Sequence, residues 1–328
     1  MLTELVNRMI SGRRKAMKPI ISVRNLKKSY GQQTVLDGLN FDVQKGTIFA
    51  LLGENGAGKT TTVRILSTLM QQDEGKITIA GFNAVDDPLA VRNIISVTGQ
   101  YAAVDDLLTG KENLEMMARL YHLNKKSAKY RISELLEQFD LVNAANKSAK
   151  TYSGGMRRKL DIAISLLKTP EVIFLDEPTT GLDPRSRRNM WTMIKELADK
   201  GTTIFLTTQY LEEAEQLADR IAVINGGKIV ADGTAAELKQ LIGEEKIILN
   251  FSGKAEYHHS LVLIEAIGNE DNLSIEVAAD GNPETLRQLL NKLKKHGIVP
   301  QKVNFREPNL DDVFMQITGR MEKGVENR

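Results

Sequence analysis

One short segment constrains the fold of this chain more than any other. GENGAGKT, residues 53–60, follows an apolar run at 47–53 that predicts a buried strand, and precedes TTVRILSTLM, which predicts a helix. The spacing G-x-x-x-x-G-K-[ST] is that of a phosphate-binding loop, in which glycines let backbone N–H groups curl around a phosphate. Lys59 supplies a mobile positive charge, Thr60 a hydroxyl ligand for Mg²⁺, and the helix N-terminus a partial positive charge. The segment therefore predicts a nucleotide-binding α/β fold.

A second apolar run ends in two carboxylates. VIFLDEP, residues 172–178, carries Asp176 and Glu177 at its end. In phosphate-binding folds the first of these carboxylates holds Mg²⁺ through water, and the second lies where an attacking water is polarised. Adjacent acids after a strand are by themselves typical of a solvated loop. Together with GENGAGKT they predict a site that hydrolyses a nucleotide.

A third motif, YSGGMRRKL at 152–160, makes the pattern specific. Ser153 is suited to cap the helix that follows, and Gly154 and Gly155 leave space for a phosphate beside free N–H groups. A lone S-G-G occurs in many turns. Placed shortly before VIFLDEPTTGLD, it gives a constellation that resembles the ATP-binding subunits of ABC transporters, and the resemblance covers residues 19–243.

The resemblance implies roles for further residues. Tyr30, in SYGQQTVL, matches the aromatic residue that stacks on adenine. Gln100 matches the glutamine that reaches Mg²⁺ and links the nucleotide to a helical subdomain where the transmembrane partner docks. Asp183, in GLDPRSR, matches the aspartate that crosses between paired subunits. In this family Ser153 and Gly155 of one subunit face the γ-phosphate held by the other, so the resemblance implies a two-fold dimer with two ATP between its halves.

The implied site residues fall into three sets. Those with catalytic roles are Lys59, Glu177 and Gln209. Those that bind Mg²⁺ are Thr60, Gln100 and, through water, Asp176. Those that contact ATP are Tyr30, Gly53, Glu54, Asn55, Gly56, Ala57, Gly58, Lys59, Thr60, Thr61, Gln100, Ser153, Gly154, Gly155, Asp176 and Asp183.

Gln209 departs from the family pattern, which has a histidine at this position in contact with the γ-phosphate. Three interpretations are open: a weakened or inactive ATPase, a histidine supplied from elsewhere, or a glutamine that does the same work. A glutamine amide donates to a phosphate oxygen and accepts from water, and glutamine orients the attacking water in small GTPases. Because Glu177 is intact, we favour the third interpretation. None of the histidines follows the strand after VIFLDE; they are His122, His258, His259 and His296.

The same departure narrows the resemblance. LTTQYLEEAEQLADRIAVI, which contains Gln209, and the C-terminal EPNLDDVFMQITGR look like the daunorubicin-resistance branch of ABC exporters. The ATPases of that branch carry glutamine here and end in a similar small domain.

The pattern of apolar runs predicts the domain organisation. Runs at 19–23, 47–53, 171–177, 202–208 and 220–224 alternate with helices and predict a mainly parallel sheet within an ABC ATPase domain at 19–243. A helical subdomain is predicted at about 100–168, where Thr109 and Glu112 form a capping box.

The two ends of the chain have residue patterns that differ from that of the ATPase domain. KIILNF at 246–251 and a leucine stripe at 286–293 predict a small accessory α+β domain at 244–320, followed by a disordered tail at 321–328. Residues 1–18 form an N-terminal extension with apolar residues at helical spacing and basic residues after them. Such a segment either lies on an anionic membrane surface or is a frayed end, and Met17 is an alternative start.

Composition narrows the class of protein. Acidic and basic residues nearly cancel, at 42 against 44, so the chain has no large positive net charge to attract nucleic acid. We therefore expect no nucleic-acid partner. The absence of cysteine excludes disulfides and thiolate metal sites. No apolar run approaches the roughly 18–20 residues that a membrane span needs, and no secretory signal is present. We therefore expect a soluble protein in the cytoplasm.

The sequence as a whole predicts a homodimeric, Mg·ATP-hydrolysing subunit of an ABC exporter. It would act at the cytoplasmic face of the membrane and drive efflux of a drug-like or lipid-like compound through a separate permease chain. One alternative is a soluble ABC ATPase acting on ribosomes or DNA, although such proteins usually carry two cassettes or a long coiled coil. Another is an importer ATPase with a regulatory tail, against which Gln209 and LDDVF argue only by resemblance.

Overall fold

The computed structural model describes residues 18–99, 104–240, 246–264, 266–278 and 282–306, together with 309, 310, 312, 314 and 315. The chain divides into two compact units between Asp232 and Gly233. The boundary predicted after residue 243 lies outside the described residues, and so do all but the last residue of the extension at 1–18 and the whole tail at 321–328.

The first stretch, up to Gly233, contains two sheets and a group of helices. Its strands are β1 (Ile21–Tyr30), β2 (Gln33–Val43), β3 (Ile48–Leu52), β4 (Glu74–Ile79), β5 (Phe82–Asn83), β6 (Ile95–Thr98), β7 (Val172–Asp176), β8 (Thr203–Thr208), β9 (Arg220–Asn225) and β10 (Lys228–Gly233). Its helices are α1 (Lys59–Leu66), α2 (Pro88–Ile94), α3 (Gly110–Leu120), α4 (Lys125–Gln138), α5 (Gly154–Ser165), α6 (Pro184–Asp199) and α7 (Leu211–Leu217).

The larger sheet has the strand order β10-β9-β3-β8-β7-β6, and its central pairs are parallel. Every residue of β3, β7 and β8 is buried, which explains why these segments read as continuous apolar runs rather than alternating ones. The predicted parallel sheet and the strands expected from these runs are confirmed.

A second, antiparallel sheet has the order β2-β1-β4-β5 and was not foreseen beyond the run at 19–23. Its strands have buried positions mixed with exposed ones, as in β1, where Ile21 and Val23 are buried and Arg24 and Asn25 are exposed. Register shifts interrupt the pairing of β1 with β2, so a strict two-residue alternation is absent. Such strands give a weak periodic signal.

Phenylalanine rings join the two sheets in one core. The ring of Phe49 on β3 stacks at 5.3 Å on Phe41 of the antiparallel sheet and at 5.3 Å on Phe205 of β8. The centroid of the Phe174 ring lies 5.5 Å from that of Phe205. Aromatic pairs at these distances add to the free energy gained by burial. The core therefore holds the strands that carry the site residues in fixed relation to one another.

The segment predicted to be helical contains α3, α4 and α5. Thr109 caps α3 as expected: its side chain accepts from the amide of Glu112, and the Glu112 carboxylate accepts from the amide of Thr109. These reciprocal bonds satisfy two amides that the first helical turn leaves unpaired. The capping box read from the sequence is confirmed.

The second unit folds around a sheet of its own. Its elements are α8 (Ala235–Gln240), β11 (Lys246–Asn250), α9 (Lys254–Ile264), β12 (Ile267–Asn269), β13 (Ser274–Ala278), α10 (Pro283–Lys295) and β14 (Lys302–Arg306). The strand order β12-β13-β11-β14 with antiparallel pairs is that of a split βαβ, or ferredoxin-like, unit. Its core holds Ile247, Leu249, Ile275 and Leu293. The small α+β fold predicted here is confirmed.

None of the helices in the described ranges is long and apolar enough to cross a membrane. Helix α6, with 16 residues from Pro184 to Asp199, carries buried residues on one side only, such as Ile194 and Leu197. A transmembrane helix needs about 20 predominantly apolar residues. Helix α6 is instead an amphipathic helix of a globular domain.

Truncation of the central ring tests the shared core. We expect Phe205→Ala to lower the free energy of unfolding by about 3–5 kcal/mol, because it removes a fully buried ring and leaves a cavity. Trp191, the single tryptophan of the chain, is buried in the same unit, so its fluorescence during urea denaturation reports that unit. Leu69→Ala, at a side chain that is 69% exposed, is the control and should change the value by less than about 0.5 kcal/mol. Equal effects of the two substitutions would contradict this account of the core.

Candidate functional site

The predicted phosphate loop, the two acids and Gln209 follow three neighbouring parallel strands. Strand β8 lies between β3 and β7, with Leu52 opposite Thr208 and Asp176 opposite Thr207. The carboxyl ends of parallel strands meet at one edge of the sheet, where ligands of α/β folds bind. The structure therefore brings these segments together at one edge.

The phosphate loop needs glycine where the motif places it. Gly56 and Gly58 have φ angles of 85° and 108°, in the left-handed region that favours glycine. A Cβ at Gly58 would lie 2.5 Å from Cδ2 of Leu36, and one at Gly53 would overlap the carbonyl oxygen of Ile224. Side chains at these positions would displace the loop from the sheet, so its shape depends on the glycines.

Lys59 joins the loop to the end of β7. Its buried ammonium donates to the carbonyl oxygens of Gly53, at 2.8 Å, and Glu54, at 3.0 Å. The same Nζ lies 3.3 Å from Oε1 of Glu177. A buried charge needs partners of this kind. The contacts place the predicted phosphate-binding cation beside the predicted catalytic carboxylate.

Asp176 and Glu177 stand at the end of β7 in different settings. Asp176 is buried, and its Oδ1 accepts from the hydroxyl of Thr207 at 2.6 Å. Glu177 has a φ of 49°, which is uncommon for a residue other than glycine, and Thr180 donates to its Oε2 at 3.2 Å. Both carboxylates are thus oriented by hydroxyl groups.

The donor atoms at this edge suit Mg²⁺. Thr60, half-buried in the first turn of α1, offers a hydroxyl, and Asp176 offers a carboxylate. Hard oxygen donors of this kind bind Mg²⁺, which usually takes one or two carboxylates and completes its shell with phosphate and water. Gln100, the third predicted ligand, lies outside the described residues. In the described part of the chain, no cluster of His, Cys, Asp or Glu could hold a metal by itself.

Gln209 follows β8 directly and is half-buried. The strand end before it is anchored on both sides: the amide of Gly53 donates to the Thr208 carbonyl at 3.2 Å, and the amide of Tyr210 donates to the Thr208 hydroxyl at 2.9 Å. These bonds hold the strand end that carries Gln209 beside the start of the phosphate loop, and the role of Gln209 stays a prediction.

Ser153 caps α5, as predicted, by accepting from the amide of Met156 at 3.3 Å. It is exposed and lines a small cavity together with Gly155 and with Ser186 and Asn189 of α6. No hydrogen bond or ion pair between the described residues joins Ser153–Gly155 to the phosphate loop of the same chain.

Asp183, predicted to cross between subunits, caps α6. Its Oδ1 accepts from the amides of Arg185 and Ser186, each at 3.0 Å, and its Oδ2 accepts from the Ser186 hydroxyl at 2.5 Å. The hydrogen bond from the Ser186 hydroxyl, with those from the amides, lowers the pKa of Asp183. The carboxylate lies exposed at the start of the helix.

Tyr30 ends β1 with its ring 47% exposed. Its hydroxyl contacts Sδ of Met70 at 3.0 Å, and the ammonium of Lys28 lies 5.9 Å from the ring centroid. An exposed aromatic face suits stacking on a base. The role of Tyr30 in adenine binding stays a prediction.

The structure adds Arg158, which the sequence reading did not single out. Its buried guanidinium donates to backbone carbonyls at the site edge, namely those of Gly99 (2.7 Å), Asp176 (3.0 Å) and Pro178 (3.0 Å), and it contacts Asp161 at 3.2 Å. Burial lowers the pKa of Arg158, and the nearby carboxylates oppose that shift. The arginine ties the helix that follows Ser153 to the ends of β6 and β7.

Glu213 is a second buried titratable residue that was not foreseen. Its Oε1 accepts from the hydroxyl of Thr179 at 2.7 Å and from Nε1 of Trp191 at 3.1 Å. Burial raises the pKa of Glu213, while hydrogen bonds from Thr208, Thr179 and Trp191 lower it. Glu213 thereby connects the helix after Gln209 to the loop between β7 and α6.

A signal for Glu213 was present in the sequence. Tyr210, Glu213, Ala214 and Leu217 share helical spacing, so Glu213 falls on the apolar side of a short helix. A charged residue on such a side needs buried partners. The sequence could indicate the burial, but not which donors Glu213 meets.

Comparisons with known proteins agree with this geometry. The sequence profile of the ABC transporter family matches residues 36–180. The profile described as ATP-binding protein DrrA1-3-like, C-terminal domain, matches residues 233–318. The two matches correspond to the two kinds of fold in the chain.

Individual relatives cover nearly the whole chain. The daunorubicin resistance ATP-binding protein DrrA2 of Streptomyces coeruleorubidus is 45% identical over 307 residues, which are 92% of this chain and 95% of that protein. The linearmycin resistance ATP-binding protein LnrL of Bacillus subtilis (strain 168) is 36% identical over 309 residues, with 92% and 99% covered. A solved dimeric ATP-binding cassette in a post-hydrolysis state, bound to ADP and Pi, matches with a TM-score of 0.59 and 25% identity and covers 65% of this chain and 98% of its own. The chain belongs to the DrrA daunorubicin and doxorubicin resistance family of ABC transporter ATP-binding proteins, and is an ABC ATPase that hydrolyses ATP to drive transport.

Proposed function

We propose that this chain powers export of a drug-like or lipid-like compound through a separate integral-membrane permease, which it binds at the cytoplasmic face of the membrane. The observation that carries the proposal is the 45% identity to a daunorubicin resistance ATP-binding protein over 92% of the chain. A second relative is named for resistance to linearmycin. Gln209 agrees with the resemblance to this branch of exporters.

We propose a homodimer as the working form. Ser153 and Gly155 at the start of α5 would face the γ-phosphate held by the loop at 53–60 of the partner subunit. Support comes from the exposure of Ser153 and Asp183 and from the dimeric cassette among similar solved structures. Each chain would then carry half of each ATP site.

The phosphate loop and its neighbours are proposed to hold the nucleotide. Backbone N–H groups of the loop and the ammonium of Lys59 would bind the phosphates, and Tyr30 would stack on adenine. Mg²⁺, bound by Thr60, Gln100 and, through water, Asp176, would supply positive charge to the phosphate groups. The remaining loop residues provide the close backbone approach that this binding needs.

Glu177 and Gln209 are proposed to act on the attacking water. The carboxylate of Glu177 would accept a proton from water as it attacks the γ-phosphate. Its position 3.3 Å from Lys59 Nζ supports this role, because it places the base beside the cation that would hold that phosphate. The amide of Gln209 would donate to a phosphate oxygen and accept from the same water.

The C-terminal region has no catalytic motif, and we propose it as an accessory domain at 244–320 beside an ATP-binding domain at 19–243. Its ferredoxin-like sheet and separate core support an independent folding unit. We propose that it stabilises the dimer or tunes its closure.

Reconstitution tests the transport function. The full-length chain would be purified with the membrane protein encoded in the neighbouring reading frame and placed in vesicles, and ATP-dependent movement of daunorubicin would be measured. We expect the permease to raise ATP hydrolysis, and daunorubicin to raise it further. Stimulation by ribosomes instead of the permease would favour the soluble alternative, and uptake instead of efflux would favour the importer.

Removal of the proposed base should separate binding from hydrolysis. We expect Glu177→Gln to lower kcat about 10²- to 10⁴-fold, because a neutral amide does not accept the proton from water. ATP binding should persist, and size-exclusion chromatography in ATP should show a trapped dimer. The matched control is Glu171→Gln at the other end of the same strand, where the exposed carboxylate pairs with Lys45. Normal turnover by Glu177→Gln would remove Glu177 from the mechanism.

Substitutions at Gln209 test whether an amide replaces histidine. We expect Gln209→Ala to lower kcat about tenfold or more, since a donor to the phosphate and an acceptor for water are both lost. Gln209→His should retain turnover, and its rate of ATP hydrolysis should change with pH around a midpoint of about 6.5. The wild-type chain should show no such change from this position. The measurement is steady-state ATP hydrolysis between pH 5.5 and 8.5. Unchanged hydrolysis by Gln209→Ala would refute the positioning role.

A further inference from the structure

One buried hydroxyl contacts both of the acidic residues at the end of β7. Thr207 is fully buried on β8, directly opposite Asp176 in the parallel register. Its Oγ1 donates to Oδ1 of Asp176 at 2.6 Å and accepts from the amide of Glu177 at 3.1 Å. A single side chain therefore contacts both residues.

The direction of these hydrogen bonds follows from the donor inventory. A threonine hydroxyl has one proton, and the backbone amide of Glu177 acts only as a donor. The proton on Oγ1 must therefore point at Asp176, whose Oδ1 is the acceptor. This short hydrogen bond fixes the rotation of the Asp176 carboxylate.

The backbone of Glu177 depends on the same residue. Its φ of 49° lies in a region that residues other than glycine occupy rarely. The amide of Glu177 donates both to the carbonyl oxygen of Thr207, at 3.2 Å, and to its hydroxyl, at 3.1 Å. This shared bond holds the unusual conformation and thereby sets the direction in which the Glu177 side chain leaves the backbone.

Thr207 is also close to the other parts of the site along its own strand. The next residue, Thr208, accepts the amide of Gly53 on its carbonyl oxygen at 3.2 Å, and Gln209 follows. The end of β8 therefore bonds to the start of the phosphate loop, to the carboxylate of Asp176 and to the backbone of Glu177, and it continues directly into Gln209.

We infer that Thr207 is a positioning residue for Mg·ATP hydrolysis. Its hydroxyl orients Asp176 toward the metal and holds the Glu177 backbone so that its carboxylate faces the attacking water. The inference rests on the proposed roles of Asp176 and Glu177. One hydroxyl group would then position two residues relative to each other: the metal-binding Asp176 and the proton-accepting Glu177.

The test compares substitutions of nearly equal shape. Thr207→Val removes the hydroxyl and keeps the branched side chain that a buried strand favours, and Thr207→Ser restores the hydroxyl. The control is Thr203→Val on the same strand: Thr203 is also fully buried, and its hydroxyl also accepts a backbone amide, that of Gly46 at 3.0 Å, but it lies at the opposite end of β8. Where a valine variant is recovered poorly, Thr207→Ala is compared with Thr203→Ala.

The measurements use the full-length chain and two readouts. The first is a titration with Mg²⁺ in the presence of ATP, which gives the Mg²⁺ concentration at which ATP raises the melting temperature of the protein by half of its full effect. This readout requires no hydrolysis. The second is kcat and KM for ATP at saturating Mg²⁺. We expect Thr207→Val to raise the required Mg²⁺ concentration and to lower kcat, each by about tenfold, with KM for ATP nearly unchanged. Thr207→Ser should lie close to wild type in both readouts.

Two results would overturn the inference. One is that Thr207→Val matches Thr203→Val in both readouts, which would reduce Thr207 to a part of the core. The other is that Thr207→Ser is as impaired as Thr207→Val, which would show that the hydroxyl does not matter. Failure of the proposed function is distinguishable, because it would appear as normal turnover by Glu177→Gln or as a protein that ATP does not stabilise.

Discussion

The in-register pairing of β8 with β3 on one side and β7 on the other determines where the groups at the site edge lie. Because Leu52 is opposite Thr208 and Asp176 is opposite Thr207, the loop, the acids and Gln209 begin at the same level of the sheet. A slip of one residue would send each side chain to the other face. The stacked rings of Phe49 and Phe205 oppose such a slip, since they pack in the core only in this register.

Two buried titratable side chains bond helices to the site edge and to each other. Arg158 brings a guanidinium from α5 to the carbonyls of Asp176 and Pro178, and Glu213 joins α7 to Thr179 and Trp191. A buried charge without partners is costly, and burial is the largest influence on the pKa of both residues: it lowers that of Arg158 and raises that of Glu213, although their partners oppose both shifts. Movement of α5 therefore strains the end of β7 and the loop that follows it, and movement of α7 strains that loop and α6.

Features that depend on the order of neighbouring residues were predicted from the sequence. Features that depend on contacts between residues far apart in the chain were missed. The phosphate loop needs glycine at positions such as Gly58 for reasons of backbone shape, and β7 and β8 are buried on both faces, so both were readable from residue order. Thr207 was not singled out, because its importance depends on Asp176 of another strand. The sheet containing β1 was largely missed, because its mixed burial and its register shifts weaken the alternation of a strand. The roles of the site residues remain predictions.

The capping of α6 by Asp183 has a consequence for recognition between copies of the chain. The carboxylate already accepts from the amides of Arg185 and Ser186 and from the Ser186 hydroxyl. A second copy that drew the carboxylate away would uncap the helix, unless it offered replacement donors. A partner copy that takes up Asp183 must therefore supply its own N–H or O–H donors, or else leave the first turn of α6 without its cap.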